Sequence, residues 1–515
     1  MNLGQAFQRA VSRAPGAVAI VDGARRQTFA QWYEDIRRVT RGLQALGVRP
    51  GDHVGAVMKN RWEMATLAWA SYMAGAVFTP ISWRGTADEI GYCLQDSGAV
   101  ICVHDGAAGN AATTACDLAK LAPDRRIAAA DAGDGFTALL TKGSVEGPSD
   151  VADSATALML YTSGTTGRPK GVPRSHRAEW SATMSHIVLN EYPRDLSQLC
   201  VMPLFHTMGV RTLEASAFLG GKMICLPSYS AGAVLDSIEQ EKIGGIFLVP
   251  TMYHDILNRP DIANRDLSSV IRAGFAGMTM APSLIEKCCE VFHRGKFINF
   301  YGSSEIYTLS SSDRQSAKPG NAGRPGLYQE LRIVEGDPDR RVLPHEVVAP
   351  GETGEIILNM DAPDAFQGYW NRPDSNQKSI REGWYYTGDL GRLDEDGDLW
   401  VLGRVDDMII SGGENIHPEE VEDALLRSGL CRGVVVIGLP DERMGQKVVA
   451  FVEPREGASP AALDAACQAG ALAKFKRPRA YAFIDAIPRT ASGKLLRRKL
   501  RSGEYELLDG YESTI

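Results

Sequence analysis

Between Tyr161 and Val172 the chain reads Tyr-Thr-Ser-Gly-Thr-Thr-Gly-Arg-Pro-Lys-Gly-Val, directly after the apolar run 157–160. Hydroxyl side chains, glycines with bare backbone N–H groups, and the cations Arg168 and Lys170 at the end of a strand are the parts that hold a polyphosphate. The same composition also makes ordinary surface turns, so the loop needs partners elsewhere in the chain. It is not a Walker loop, because that motif sets Gly directly before its Lys and here Pro169 stands there.

Three later stretches supply partners. Tyr301-Gly-Ser-Ser-Glu305 follows the apolar run 297–300, and the Glu305 carboxylate is a hard oxygen ligand suited to Mg²⁺ beside phosphates. Tyr386-Thr-Gly-Asp-Leu390 is followed by Gly403-Arg404; a carboxylate such as Asp389 has the acceptor atoms for a vicinal diol. Pro488-Arg-Thr-Ala-Ser-Gly-Lys494 leads into Arg497, Arg498 and Lys499, a basic cluster that by itself reads as a solvated face.

The elements that must position these residues alternate short strands with amphipathic helices. Strands are expected at 17–21, 53–58, 77–80, 198–204, 222–226, 245–249, 270–276 and 297–300, and helices at 28–46 and 61–74. Such alternation predicts a layered α/β domain with largely parallel sheets. Several candidates then fall at strand ends, where ligands of open α/β sheets gather. The stretch 107–149, rich in Ala, Gly and Asp, is expected to be a weakly patterned surface excursion. From 320 to 401, prolines and glycines punctuate alternating stretches such as 355–359 and 398–402, which predicts an antiparallel, barrel-like portion. The remaining segment holds an expected helix at 419–427 and strands at 433–438 and 447–452.

Together these stretches resemble the adenylate-forming enzymes, the superfamily of acyl-CoA synthetases, adenylation domains and luciferases, over nearly the whole chain. The run Gly403-Arg-Val-Asp-Asp-Met-Ile-Ile-Ser-Gly-Gly-Glu-Asn-Ile-His-Pro418, with Val434-Val-Val-Ile-Gly-Leu439, is similar to bacterial benzoate-type and 4-chlorobenzoate–CoA ligases. The resemblance implies an α/β fold: a large N-terminal ATP- and acid-binding domain (1–402) of layered sheets with the barrel-like portion, a hinge (403–406), and a small mobile α+β C-terminal domain (407–515). It implies that Thr162, Ser163, Gly164, Thr165, Thr166, Gly167 and Lys170 hold the phosphates of ATP, with Tyr301 on adenine and Ser304 on the α-phosphate. Glu305 would hold Mg²⁺, Asp389 the ribose hydroxyls, and Arg404 the ribose or phosphate side. Lys494 would reach the carboxylate and α-phosphate during adenylation, and Asp406 would be the hinge residue, with Asp407 the weaker candidate. Gly412 and Gly413 would let the thiol of coenzyme A pass, while Phe475 and Arg477 would meet its nucleotide. His206 would face the glycine loop and pair with Glu414. By position, Met184, His206, Thr207, Met208, Val249, Ala276, Phe300, Gly302, Ile306 and Tyr307 would line the acid pocket. Mostly apolar walls suit a compact planar acid; Thr207, Tyr307 and the nearby Arg211 make them more polar than a chlorobenzoate pocket, so furoate or a hydroxybenzoate fits at least as well.

Size and charge agree with this reading. At 515 residues the chain needs more than one core, and 44% hydrophobic with 23% charged residues is ordinary for a globular protein. A net charge of −8 disfavours nucleic acid and anionic membrane partners, so binding ATP requires locally focused cations. The nine cysteines show no zinc spacing; with no apolar leader core in the opening residues, they are expected to be reduced thiols in the cytoplasm. The expected partners are a small carboxylic acid, ATP and coenzyme A, with a homodimer left open. Two alternatives remain: an adenylating enzyme that loads a carrier-protein thiol, and a non-catalytic nucleotide-binding module, which would have little use for Lys494.

Overall fold

The computed structural model describes all residues except 163–167, 338–339, 413, 470–471, 490–494, 512 and 515. Of the candidate residues, Ser163, Gly164, Thr165, Thr166, Gly167, Gly413 and Lys494 therefore lie outside the described residues. The chain forms two compact units, Met1–Glu330 with Asn359–Tyr385 and Leu331–Leu358 with Tyr386–Ile515. The expected hinge, 403–406, falls inside the second unit, and compactness does not bear on motion about it.

Two sheets build the first unit. In the nine-stranded sheet, Lys296–Tyr301, Arg272–Ala276, Gly245–Leu248, Gln198–Cys200, Met223–Cys225 and Val18–Asp22 lie side by side and parallel. The edges are antiparallel, Ser310–Ser312 and Arg324–Pro325 at one side and Arg25–Thr28 at the other. The six-stranded sheet is parallel through Arg126–Ala128, Ile101–His104, His53–Val57, Val77–Pro80 and Thr156–Thr162. It ends in an antiparallel pairing with Lys170–Ser175. Parallel strands are covered on both faces and so read as unbroken apolar runs; His53–Val57 and Ile101–His104 are buried at every position. Helix Trp62–Ala74, mostly apolar, is likewise buried throughout. Helix Phe29–Ala45 begins with a Thr28/Gln31 capping box.

The stretch 107–149 is not a mere surface excursion. Helix Asn110–Leu118 and strand Arg126–Ala128 belong to the six-stranded layer, with Ala112, Ala115, Cys116 and Ile127 buried. Its alanines hid this role: small methyl faces carry little periodic signal, yet they let the helix approach helix Ala87–Ser97 closely. A Cβ on Gly91 would come within 3.1 Å of Leu118.

In the second unit, antiparallel ladders join Leu331–Val334 to Gly354–Asn359 and Trp384–Leu393 to Leu399–Arg404. A further sheet pairs Cys431–Asp441 with Gly445–Pro454 over ten register pairs, with one register shift between Cys431 and Gly433, and both strands are longer than expected. Ala480–Phe483, a short run between Arg479 and Ile484 that was not expected as a strand, adds to it in parallel. Helix Pro418–Arg427 packs on this sheet through Val421 and Leu425. Among the described residues, no helix is long and apolar enough to cross a membrane.

Within the first unit lies a buried quartet of charges. Arg174 Nε donates to Glu179 Oε1 at 2.7 Å, and Arg211 Nη2 to Glu179 Oε2 at 2.6 Å and Glu214 Oε2 at 2.9 Å. Burial pushes the Glu214 carboxyl upward and its partner Arg211 pulls it back. Two positive and two negative groups compensate one another, so removing one leaves a buried charge unpaired, a cost of about 3–5 kcal/mol. Arg211→Met should lower the stability of the first unit by about that amount, read as the shift of its urea unfolding transition; a shift below about 1 kcal/mol would mean that the quartet is not coupled.

Candidate active site

Adjacent parallel strands bring sequence-distant residues to one carboxyl edge. Phe300 pairs with Ala276, and Phe275 with Leu248, which places the chain after each strand side by side. Met208, Phe247, Phe300, Met202 and Ile298 form one apolar cluster with Val249 and Ala276 packed against it. His206 and Thr207 begin helix Thr207–Leu219 beside Met208, with His206 at the N-cap position. Of the expected pocket residues, this cluster gathers Met208, Val249, Ala276 and Phe300.

Three others are placed differently. Met184 is half-buried on helix His176–Leu189 and lies outside that cluster among the described residues. Ile306 is fully buried in a turn where Ser303 N donates to its carbonyl at 3.0 Å. Tyr307 belongs to the main core instead, its ring between the guanidiniums of Arg174 at 4.0 Å and Arg211 at 4.3 Å. Arg211, expected to make the acid pocket more polar, directs its charge to Glu179 and Glu214. Gly302 has to be glycine, since a Cβ there would lie 2.0 Å from the Tyr307 carbonyl oxygen.

Two residues of this edge escaped the sequence reading. Phe247 shares a strand face with Val249 by simple alternation, which was a usable signal. His186 had none: it sits 5.2 Å from the rings of both Phe247 and Phe300. Burial, then the nearby Arg211, lowers its pKa to about 3, so the ring is neutral. Asn190 Nδ2, a donor, faces His186 Nδ1 at 3.2 Å, which leaves the proton on Nε2.

The hairpin formed by Thr156–Thr162 and Lys170–Ser175 sets Thr162 opposite Lys170, so the phosphate-loop candidates span two paired strands. Lys170 Nζ lies 4.9 Å over the ring of Tyr369, and Tyr369 Oη donates to Glu305 Oε1 at 2.6 Å. Burial, reinforced by Glu305, holds the Tyr369 hydroxyl well above its usual pKa, which keeps it a donor. Tyr301 ends its strand half-buried, Ser304 is half-buried and Glu305 is buried. Lys170 and Glu305 are thus linked by a residue that no motif announced. The donor set fits a hard cation: a carboxylate has two oxygens, so a hydrogen bond at Oε1 is compatible with Mg²⁺ ligation at Oε2.

In the second unit, Asp389 and Arg404 stand opposite one another across two strands and pair at 3.0 Å. Gly388, at φ 71°, turns the chain there, and its N–H donates to Glu355 Oε1 at 2.9 Å. Asp406 is exposed on a short turn, whereas Asp407 is tied to Arg501 at 2.9 Å and Arg497 at 3.5 Å. The two hinge candidates thus differ in their surroundings. Gly412 donates its N–H to the Met444 carbonyl at 2.8 Å. Phe475 is 40% exposed, and Arg477 lies 3.3 Å from Asp464. The side chain of Glu414, expected to meet His206, is outside what the structure describes.

The chain as a whole is similar to known proteins. The AMP-binding enzyme family matches residues 7–370, and the C-terminal domain of AMP-binding enzymes matches residues 420–494. A feruloyl-CoA synthase from an Amycolatopsis species is 34% identical, over 97% of this chain and 98% of its own length. An indoleacetate–CoA ligase from Aromatoleum aromaticum is 35% identical, again over 97% and 98%. Among solved structures, the o-succinylbenzoate CoA synthetase of Bacillus subtilis, in complex with its acyl-adenylate intermediate, is similar at a TM-score of 0.86 and 28% identity. That likeness covers 99% of each chain.

A carboxylate that accepts hydroxyl hydrogen bonds contributes about 1.5–3 kcal/mol through them. Asp389→Asn should therefore weaken AMP binding by about 10- to 100-fold, measured by calorimetry. An affinity within twofold of the parent would take Asp389 out of the nucleotide site.

Proposed function

We infer that this chain, which belongs to the AMP-binding enzyme family and is an AMP-forming acyl-CoA synthetase, acts on a small aromatic or heteroaromatic acid of benzoate, hydroxybenzoate or furoate type. The observation that carries the choice of acid is the carboxyl-edge cluster of Met208, Phe247, Val249, Ala276 and Phe300 around the neutral His186. Flat apolar walls suit a planar ring, and the Nε2 proton of His186 suits a ring oxygen or substituent that accepts a hydrogen bond. The relatives named above, for feruloyl, indoleacetate and succinylbenzoate groups, support an aryl acid.

In the first half-reaction a carboxylate oxygen attacks the α-phosphorus of ATP, forming the acyl-adenylate and releasing pyrophosphate. Lys170 and the loop 163–167 neutralise phosphate charge, Tyr301 stacks on adenine, Ser304 bonds the α-phosphate, and Asp389 with Arg404 holds the ribose side. Glu305 would hold Mg²⁺, which supplies charge neutralisation at the phosphates. Lys494 adds an ammonium at the carboxylate and α-phosphate, where charge develops in the transition state. In the second half-reaction the thiol of coenzyme A attacks the acyl carbon and AMP leaves. Gly412 and Gly413 line the thiol's path, Phe475 and Arg477 meet the nucleotide of coenzyme A, His206 acts at the thiol's entry, and Asp406 is the hinge between the two steps.

The parent protein should catalyse ATP–pyrophosphate exchange with small aryl acids and form thioester only when coenzyme A is added. Exchange confined to aliphatic acids would sink the acid assignment, and product formed only on a carrier protein would select the other adenylating reading. Tyr307 is a poor place to test the pocket, because truncation there would open a void between two guanidiniums. Met208→Ala is cleaner: kcat/KM should shift towards bulkier acids by about 1–3 kcal/mol per methylene admitted. An unchanged ranking of acids would move the pocket elsewhere.

Lys494→Ala should slow adenylate formation by about 100-fold or more while leaving thioester formation from preformed acyl-adenylate near the parental rate. Single-turnover measurement of each half-reaction separates the two. Equal loss in both would deny Lys494 a role confined to adenylation.

A further inference from the structure

We propose that Tyr369 is a positioning residue for Glu305, holding its carboxylate in the one orientation that serves the metal–phosphate site; the inference rests on the reading of Glu305 as the magnesium ligand. Glu305 is fixed from two directions. Its backbone carbonyl accepts from Arg174 Nη1 at 2.9 Å and from Phe366 N at 2.9 Å. Its carboxylate Oε1 accepts from Tyr369 Oη at 2.6 Å. The backbone bonds place the Cα, but they leave the terminal carboxylate torsion of a glutamate broad and nearly two-fold. The Tyr369 hydroxyl removes that freedom.

Tyr369 can do this because it is itself held. Its N–H donates to Asn376 Oδ1 at 2.6 Å, and its carbonyl accepts from Asn376 Nδ2 at 3.2 Å. Its ring meets Phe366 edge-on at 5.1 Å. The next residue, Trp370, donates its N–H to the Gly171 carbonyl at 2.9 Å and its indole N–H to the Asp96 carbonyl at 2.9 Å. Arg174 closes the arrangement from the other side, since its Nη1 also donates to the Asp364 carbonyl at 2.7 Å. The segment 364–370 is thereby bonded both to the strand that carries Lys170 and to the turn that carries Glu305. One ring then touches both working groups, its face under the Lys170 ammonium and its hydroxyl on the Glu305 carboxylate. Outer partners of this kind commonly change metal affinity or activity by about 10- to 100-fold when removed.

Tyr369→Phe keeps the ring, the contact with Lys170 and the packing on Phe366, and deletes only the hydroxyl. Calorimetric titration with ATP, once in EDTA and once with Mg²⁺, reads its effect without turnover. Metal-free ATP should bind parent and variant alike. The gain in ATP affinity on adding Mg²⁺ should fall by about 10- to 100-fold in the variant, and the Mg²⁺ concentration for half-maximal pyrophosphate exchange should rise in parallel. In a Glu305→Gln background the same substitution should change neither quantity further, because Tyr369 acts through Glu305. A Mg²⁺ gain equal to the parent's, or losses that multiply in the double variant, would overturn the proposal. If the parent itself exchanges pyrophosphate with no acid, the acid-activating reading fails on that result alone, while the calorimetric comparison still decides the role of Tyr369.

Discussion

Four charged side chains shut away from water hold the first unit's working parts in place. Arg174, Glu179, Arg211 and Glu214 are all buried, and each is paired with an opposite charge. Taking ions out of water costs several kcal/mol apiece, so their geometry has little latitude. Arg174 then reaches past the quartet to the carbonyls of Glu305 and Asp364. Arg174 and Arg211 also clamp the Tyr307 ring, and cation–π contacts away from water are worth up to about 2 kcal/mol each. The turn from Tyr301 to Tyr307 is thus tied down at its carbonyl and at its far end.

Around this rigid centre, the residues proposed for the acid and those proposed for the phosphates differ in character. The carboxyl-edge cluster is apolar, and His186 beside it carries no charge because burial and Arg211 both oppose its protonation. Elsewhere in the unit one side chain spans two groups, the Tyr369 ring lying under Lys170 Nζ and its hydroxyl donating to Glu305 Oε1. Strand pairing sets the positions, since Phe300 opposite Ala276 fixes the order in which the strand ends present their loops. Side-chain bonds then set the orientations.

Much of the architecture was legible in the residues alone. Apolar runs bounded by glycine and proline marked the parallel strands, and the motif positions fell at their carboxyl ends because open α/β sheets place loops there. The stretch 107–149 was misread since alanine faces carry little hydrophobic contrast even where they are fully buried, as at Ala112 and Ala115. Asp406 and Asp407 were nearly equivalent as letters. Only their surroundings separate them, one exposed and the other tied to Arg497 and Arg501.

By itself the sequence determined family membership, and it proposed the chemistry: hydroxyls, glycines and Lys170 for phosphates, Glu305 for a hard cation and Asp389 for a diol. Those assignments depend on residue type and local spacing, which are properties of the chain. What only the tertiary structure decided was the company each group keeps. Tyr369 is 64 residues from Glu305, and Arg174 is 131 residues from Glu305 and 190 from Asp364. Hydrophobic periodicity states which face of an element is buried but not which distant segment covers it. The partners of Arg211 and Glu305 were therefore settled by packing, where burial leaves a polar group no alternative but the donor or acceptor that the fold brings to it.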